Sequence, residues 1–465
     1  MKLLNLFFKN REEIKANENT LDLKSSSSKK KVDEFIKCVK PITEKRKSAF
    51  NTLFSFALDG EQWSNDEELN LDGETPLTFN FSENYLDRYM ARLFPRNQHT
   101  GVLEVGVKVY EDDKHKKEKQ EKLILDFNKR EKLIAVILEQ GINYLCGGAG
   151  LFYYPADSIT KKARLFSLNP TDCYIGWKNN QLVQFAYKEY VGDNKYNIIY
   201  WDLNDYIFID GKTNKITIEK NKYNFIPVSW IPNNPKPHKH EGKSKINALY
   251  SIDRAYNFAA TDLARRVANN TEPHMVIMSD NVAIEDIDRG KKKKTKLAKG
   301  DDMKYLELKE GAEVINYLNL LEGKMKSKAG IIDSGGSVKT HISGVSLSFQ
   351  YSDMMDLIGY MRIVWDNAFR EMNNAILTYQ FGDQEYKTDP VYQPFINIDS
   401  KQRVDEYAIM IDKEMISRRD AIDEIRGVES PDEKIKNILE EKKLFNKLNE
   451  KQDENNQEKN KDDER

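Results

Sequence analysis

The stretch VSLSFQYSDMMDLIGYMRIVWDNAFREMNNAIL, residues 345–377, carries the strongest pattern in the chain. Leu347, Met354, Met355, Leu357, Ile358, Met361, Val364, Trp365, Phe369, Met372 and Ile376 recur at the three-and-four spacing that lines one side of an α-helix. This predicts one long helix from Val345 to Leu377. A helix with so broad an apolar face must have other elements laid against it, and the sequence on either side is read for what supplies them.

Immediately upstream, DSGGSVKTHISG (333–344) reads only as a loop, and Leu320 to Ile332 is compatible with a short helix weakened by Gly323 and Gly330. Further upstream, Ser244 to Asn270 predicts a clean helix with Ile246, Leu249, Ile252, Tyr256, Ala260 and Leu263 on one side. Between these two helices, residues 271–319 hold three strand-like pieces, HMVIM, MKYLEL and EVINYL, around the basic loop RGKKKKTKLAKG. They predict a small α/β insertion.

From Gly150 to about Lys220 the chain changes character. LFYYPAD, ARLFSLNP, CYIGW, LVQFAYKEYV, YNIIYWDL, YIFID and KITIEK are short, β-branched or aromatic, and separated by turn residues, which predicts an antiparallel region of six or seven strands. The prolines of FIPVSWIPNNPKPHKH then close it, forbidding a central strand or a helix after Trp230. Before the strands lie three helical patterns: residues 32–57, which Pro41 should kink or divide; a helix that Ser82 caps and Pro95 stops; and Lys114 to Tyr144, ending at the glycines of CGGAG. LKSSSSKKK, residues 23–31, reads as a mobile linker behind an N-terminal arm. After residue 400, DSKQRVDEYAIMIDKEMISRRDAIDEIRG predicts a helical pair stopped by Gly427, and the apolar-free tail from about residue 448 reads as disordered.

Size and composition bound what such a chain does. At 465 residues it exceeds what one core holds, so several domains are expected. The 73 basic and 75 acidic side chains nearly cancel, so any contact with nucleic acid must be local. Three scattered cysteines (Cys38, Cys146, Cys173) give neither a disulfide framework nor a metal cluster, and no apolar run is long enough to span a bilayer. SGGSVKT (334–340) and CGGAG (146–150) look superficially like phosphate loops, but Val338 stands where a P-loop has glycine before its lysine, so structural glycine loops are the better reading. His238 and His240 lie among prolines and lysines and read as solvated loop residues. No catalytic constellation stands out, so the chain is read as no enzyme and as needing no cofactor or metal. The densest positive feature is Arg289, Lys291, Lys292, Lys293, Lys294, Lys296 and Lys299: a solvated loop, or a contact surface for nucleic acid or an acidic partner.

The order of the pieces resembles the portal family of tailed bacteriophages, from about residue 49 to 441. FALDGEQW is similar to the family's early turn-plus-QW signature, and LTFNFSENYLDRYMARLFPR to the helix after it, which begins at an asparagine. FIPVSWIPNN resembles the segment before the first stem helix, and YSIDRAYNFAATDLARRV that helix itself. ISGVSLSFQYSDMM is similar to the start of the long tunnel helix, with Ser346 where many relatives have alanine, and MISRRDAIDEIRGVESPDEKIKNILEEK to a recurrent helix, glycine turn and acidic helix.

The resemblance implies an α+β portal fold: arm 1–31, wing 32–243, stem helices 244–270 and 320–332, clip 271–319, tunnel loop 333–345, tunnel helix with a return to the wing 346–399, crown 400–447 and tail 448–465. It further implies a closed homo-oligomeric ring, usually of twelve subunits, at the portal vertex of a virion assembled in the host cytoplasm. The ring would be the channel for DNA packaging and ejection and the platform for the terminase large subunit and head-completion or adaptor proteins, with major capsid and scaffolding proteins around it and no membrane. Double-stranded DNA would pass without sequence readout, nearest Lys339, Thr340 and His341 of the tunnel loop, while the clip lysines would face DNA or the motor. The alternatives are a head-tail adaptor or minor capsid protein, which would lack the stem-clip-stem arrangement, and, further off, a nucleic-acid-processing enzyme.

Overall fold

The computed structural model describes residues 18–59, 76–96, 103–157, 160–235, 240–271, 275–278, 302–305, 312–329, 352–382, 384–393, 407–413 and 415. The fold is mixed α and β. It begins with helix α1, Glu18–Leu58, which runs through both features expected to interrupt it. The serine-lysine run is helical, not a mobile linker: lysine is a good helix former, and each serine costs only about 0.5 kcal/mol relative to alanine. Further along, Val32, Phe35 and Ile36 anchor the helix on a sheet formed by Tyr174, Ala186, Tyr200, Ile207 and Ile209. Pro41 does not divide the helix. Its exposed position lets water take the carbonyl that the missing N–H leaves free.

Helix α2, Phe81–Leu93, is capped by Asn80, whose side-chain oxygen accepts the Glu83 N–H. Ser82, expected as the cap, is instead a buried first-turn residue whose hydroxyl donates to Asp253. Strand β1, Val105–Val109, leads into α3, Lys114–Arg130, and α4, Leu133–Ile142. The single helix expected over 114–144 is broken at Lys132, which takes a left-handed conformation with φ 53°. The cause is Glu131, whose carboxylate accepts the Leu165 N–H at 3.2 Å and pairs with Arg164 at 3.0 Å.

A π-helical turn, Asn143–Gly147, delivers the chain to β2, Ala149–Tyr153. The strands β3 (Cys173–Lys178), β4 (Gln181–Gly192), β5 (Lys195–Asp202), β6 (Asp205–Ile209) and β7 (Ile216–Lys220) form an antiparallel meander in sequence order. Two of its turns place Asn179-Asn180 and Asp193-Asn194 at positive φ, the conformation that matches the twist of a tight hairpin. Strand β8, Val228–Pro232, pairs with β2 alone, so Pro232 removes no ladder donor from a central strand.

Helix α5, Tyr250–Thr271, follows a 3-10 turn at Ile246–Ala248. Strands β9, Met275–Met278, and β10, Asp302–Tyr305, pair antiparallel, and helix α6, Ala312–Ala329, follows. EVINYL, read as strand-like, is therefore the first part of a helix. Its β-branched residues are tolerated because Val314 and Leu318 face α5. The long helix α7, Ser352–Phe381, is described from Ser352 and runs four residues past its expected end. Beyond it β11, Thr388–Tyr392, pairs antiparallel with β1. The main core gathers around α7: Trp365 has Phe94, Tyr144 and Phe152 edge-on at 4.8, 5.5 and 5.7 Å between ring centroids.

Candidate functional site

The two helices that flank β9 and β10 form an antiparallel pair. Ala259 and Ala260 of α5 meet Leu318 of α6, and the small side chains let the axes approach closely. At the other end Met325 and Ala329 of α6 enter the main core that also holds Leu249, and the Tyr89 hydroxyl donates to the Ala329 carbonyl. The pair is thus seated firmly at its base, with the β9-β10 ribbon at its far end.

Both helices of this pair carry large apolar side chains that no other described element covers. Phe258, Val267, Ile315, Tyr317 and Leu320 all stand exposed, Leu320 at 55% and Phe258 at 53%. Helical periodicity did not mark Phe258, Ile315, Tyr317 or Leu320, because they lie off the buried stripe, whereas Val267 continues that stripe four residues past Leu263. Helix α7 repeats the pattern with Tyr360 and Ile363 exposed beside a fully buried Trp365.

Polar contacts lock α7 to its neighbours. The Arg362 guanidinium donates from Nε to the Leu93 carbonyl and from Nη2 to that of Arg92, satisfying the end of α2, and lies 4.5 Å over the Tyr392 ring. The Tyr392 hydroxyl donates to Asp366 at 2.6 Å, and burial raises the pKa of that carboxyl above its ordinary value. Arg370 and the Tyr110 hydroxyl both donate to Asp389, at 2.7 and 2.8 Å, tying α7 to β11 and β1.

The residues singled out from the sequence fall in two groups. Lys339, Thr340 and His341, and Arg289, Lys291, Lys292, Lys293, Lys294, Lys296 and Lys299, lie outside the described residues, as do the expected tail and most of the expected crown. His240, by contrast, is described, and is a half-buried loop residue. Its ring stacks on Trp177 at 4.0 Å, and its carbonyl accepts the Trp230 indole N–H at 3.0 Å. CGGAG is a packed crossing: Gly148 has φ +87° and its Cα faces the backbone of Lys243 and Ser244. Among the described residues no group of His, Cys, Asp and Glu could hold a metal ion, and no helix is long and apolar enough to cross a membrane.

The family model for phage portal proteins of the SPP1 Gp6-like type matches residues 96–446. The chain belongs to this family. Portal proteins of this kind are structural, and a portal or connector role in a virion follows for the chain. Among solved structures, a chain from the neck of a native GTA particle, computed with C12 symmetry, is similar at 13% identity and a TM-score of 0.42, with 75% of this chain and 91% of that one covered. No curated protein matches.

Proposed function

We infer that the chain is one subunit of a closed ring of about twelve copies that forms the DNA channel of a phage head, for packaging and for ejection. The observation that carries this reading is the portal-family match, which spans α5, the β9-β10 ribbon and α6 together. In this assignment α5 and α6 are the stem, residues 272–311 the clip and α7 the tunnel helix. Residues 32–243 with the returning β11 form the wing, and residues 400–447 the crown. The clip is where the terminase large subunit, and later head-completion proteins, would dock; capsid and scaffolding proteins would surround the wing. The chain acts without chemistry of its own in this reading. A channel through which DNA of any sequence slides needs weak, distributed contact, and a nearly neutral chain suits that.

The exposed apolar side chains of the α5-α6 pair suit burial against neighbouring copies in a heterologous interface. Electron microscopy of the purified protein, with native mass in parallel, tests this: rings with a central hole are expected. Leu320→Asp should shift the population from rings to monomers by tenfold or more, because it places a charge in a desolvated seam. A stable compact dimer in the wild type would overturn the ring.

Lys339, Thr340 and His341 are assigned to the loop nearest DNA. Lys339→Ala with His341→Ala is expected to lower the yield of packaged DNA severalfold while leaving ring formation intact, since only the phosphate contact is removed. Unchanged packaging would move the DNA contact elsewhere.

A further inference from the structure

Residues 76–82 lie along α5 held by a row of side-chain oxygens on that helix. Thr261 Oγ1 accepts the Leu77 N–H at 3.1 Å, Asn257 Oδ1 accepts the Phe79 N–H at 2.7 Å, and Asp253 Oδ2 accepts both the N–H and the hydroxyl of Ser82, at 3.1 and 2.6 Å. Positions 253, 257 and 261 are spaced by four, so one helix face presents all three. The row is internally linked as well: the Thr261 hydroxyl donates to the Asn257 carbonyl, and Asn257 Nδ2 faces Asp253 Oδ1 at 3.4 Å. Asp253 thereby caps the first turn of α2 from another helix.

This carboxyl is fully buried and has donors but no bonded cation among the described residues. The titratable group that interacts with it is Tyr85 of α2, which in turn lies among Arg88 of α2 and Glu322 and Lys326 of α6; Tyr256 of α5 lies near the same two α6 residues, which pair with each other. None of them is bonded to it. Burial without a counter-ion penalises the charged form more than these hydrogen bonds favour it, and the pKa is pushed up from 3.8 to about 6.

We propose that Asp253 is a protonation-sensitive latch that ties strap 76–82, and with it α2, to α5: held firmly while the carboxyl is neutral and loosened once it ionises. The contacts lie within one chain, so the latch does not depend on assembly. In a portal ring it would set how firmly a stem helix is tied to the wing. The folded protein holds this proton more tightly than an opened strap would. The stabilisation is therefore complete below 3.8 and is lost as pH rises through about 6, above which no further loss occurs.

Hydrogen exchange of the Leu77, Phe79 and Ser82 amides in the full chain, corrected for the intrinsic chemical rate, reads the latch directly. Between pH 4.5 and 7 their protection should fall about twentyfold and level off above about pH 6, since local opening returns the carboxyl to its ordinary range. Asp253→Asn should give a flat profile. Ser82→Ala, which removes a donor to the charged form, should carry the fall to higher pH before it levels. A flat wild-type profile, the same slope in Asp253→Asn, or an unchanged profile in Ser82→Ala would each overturn the proposal.

Discussion

Replacing Trp365 with alanine is expected to cost about 4 kcal/mol of folding stability, the range for deleting a buried large aromatic side chain. The indole is fully buried on α7 and touches rings from three other elements: Phe94 at the end of α2, Tyr144 in the π turn and Phe152 in β2. Its neighbours are anchored from several directions, so the space cannot collapse, and the lost contacts add to the lost transfer energy. Since a domain is stable by only about 5–15 kcal/mol, a large part of the margin disappears. Trp365→Phe should cost much less. The indole N–H finds no acceptor among the described residues, so phenylalanine removes an unsatisfied donor while keeping most of the ring contacts. Urea melts of the two variants check the pair: equal losses would show that the N–H, and not the ring, matters.

How much of this was legible beforehand depends on how local the cause was. The apolar face of α7 can be read from its spacing alone, as can the β3–β7 meander, because strand composition and the Asn179-Asn180 and Asp193-Asn194 turns are neighbours in sequence. The break between α3 and α4 is not legible, since it is made by Glu131 reaching Arg164 and Leu165 from a distant loop. For the same reason β1 passed unread. Its partner β11 arrives only after α7, with Val105 opposite Tyr392. EVINYL misled because β-branched composition is a weak prior that packing against α5 overrides. Among candidate functional residues, the lysine runs stood out by charge density and yet lie outside the described residues. Asp253 is one acidic residue among many in the sequence. Only the backbone of residues 77–82, brought alongside by the fold, gives it a role.

Gly242→Ala is expected to destabilise the protein by about 3 kcal/mol, a figure at the upper end for overpacking a closely packed site. The reason is a crossing of three backbone segments. A Cβ on Gly242 would stand 1.9 Å from the Gly148 oxygen and 2.5 Å from the Asn233 nitrogen, both backbone atoms that cannot rotate away. The same atoms carry the hydrogen bonds of the crossing: Asn233 N–H donates to the Gly148 carbonyl at 2.9 Å and Lys243 N–H to the Asn233 carbonyl at 2.7 Å. Relieving the overlap breaks at least one of these bonds and moves residues 240–245, which lead directly into α5. That lead-in is clamped from the other side as well, by Arg46, which binds Glu241 at 3.1 Å and lies 4.9 Å over the Trp230 ring. The strain therefore has no soft direction in which to dissipate. The direction of α5 is set here, so in a portal ring the variant should also lose rings beyond what its stability loss accounts for. Gly323→Ala in α6 is the matched control: nothing lies within 4 Å of the added methyl, and alanine is favoured over glycine by about 1 kcal/mol in a helix, so stability should rise. Thermal melts of the two variants give opposite signs for the same chemical change, because one glycine is a point of backbone contact and the other faces open space.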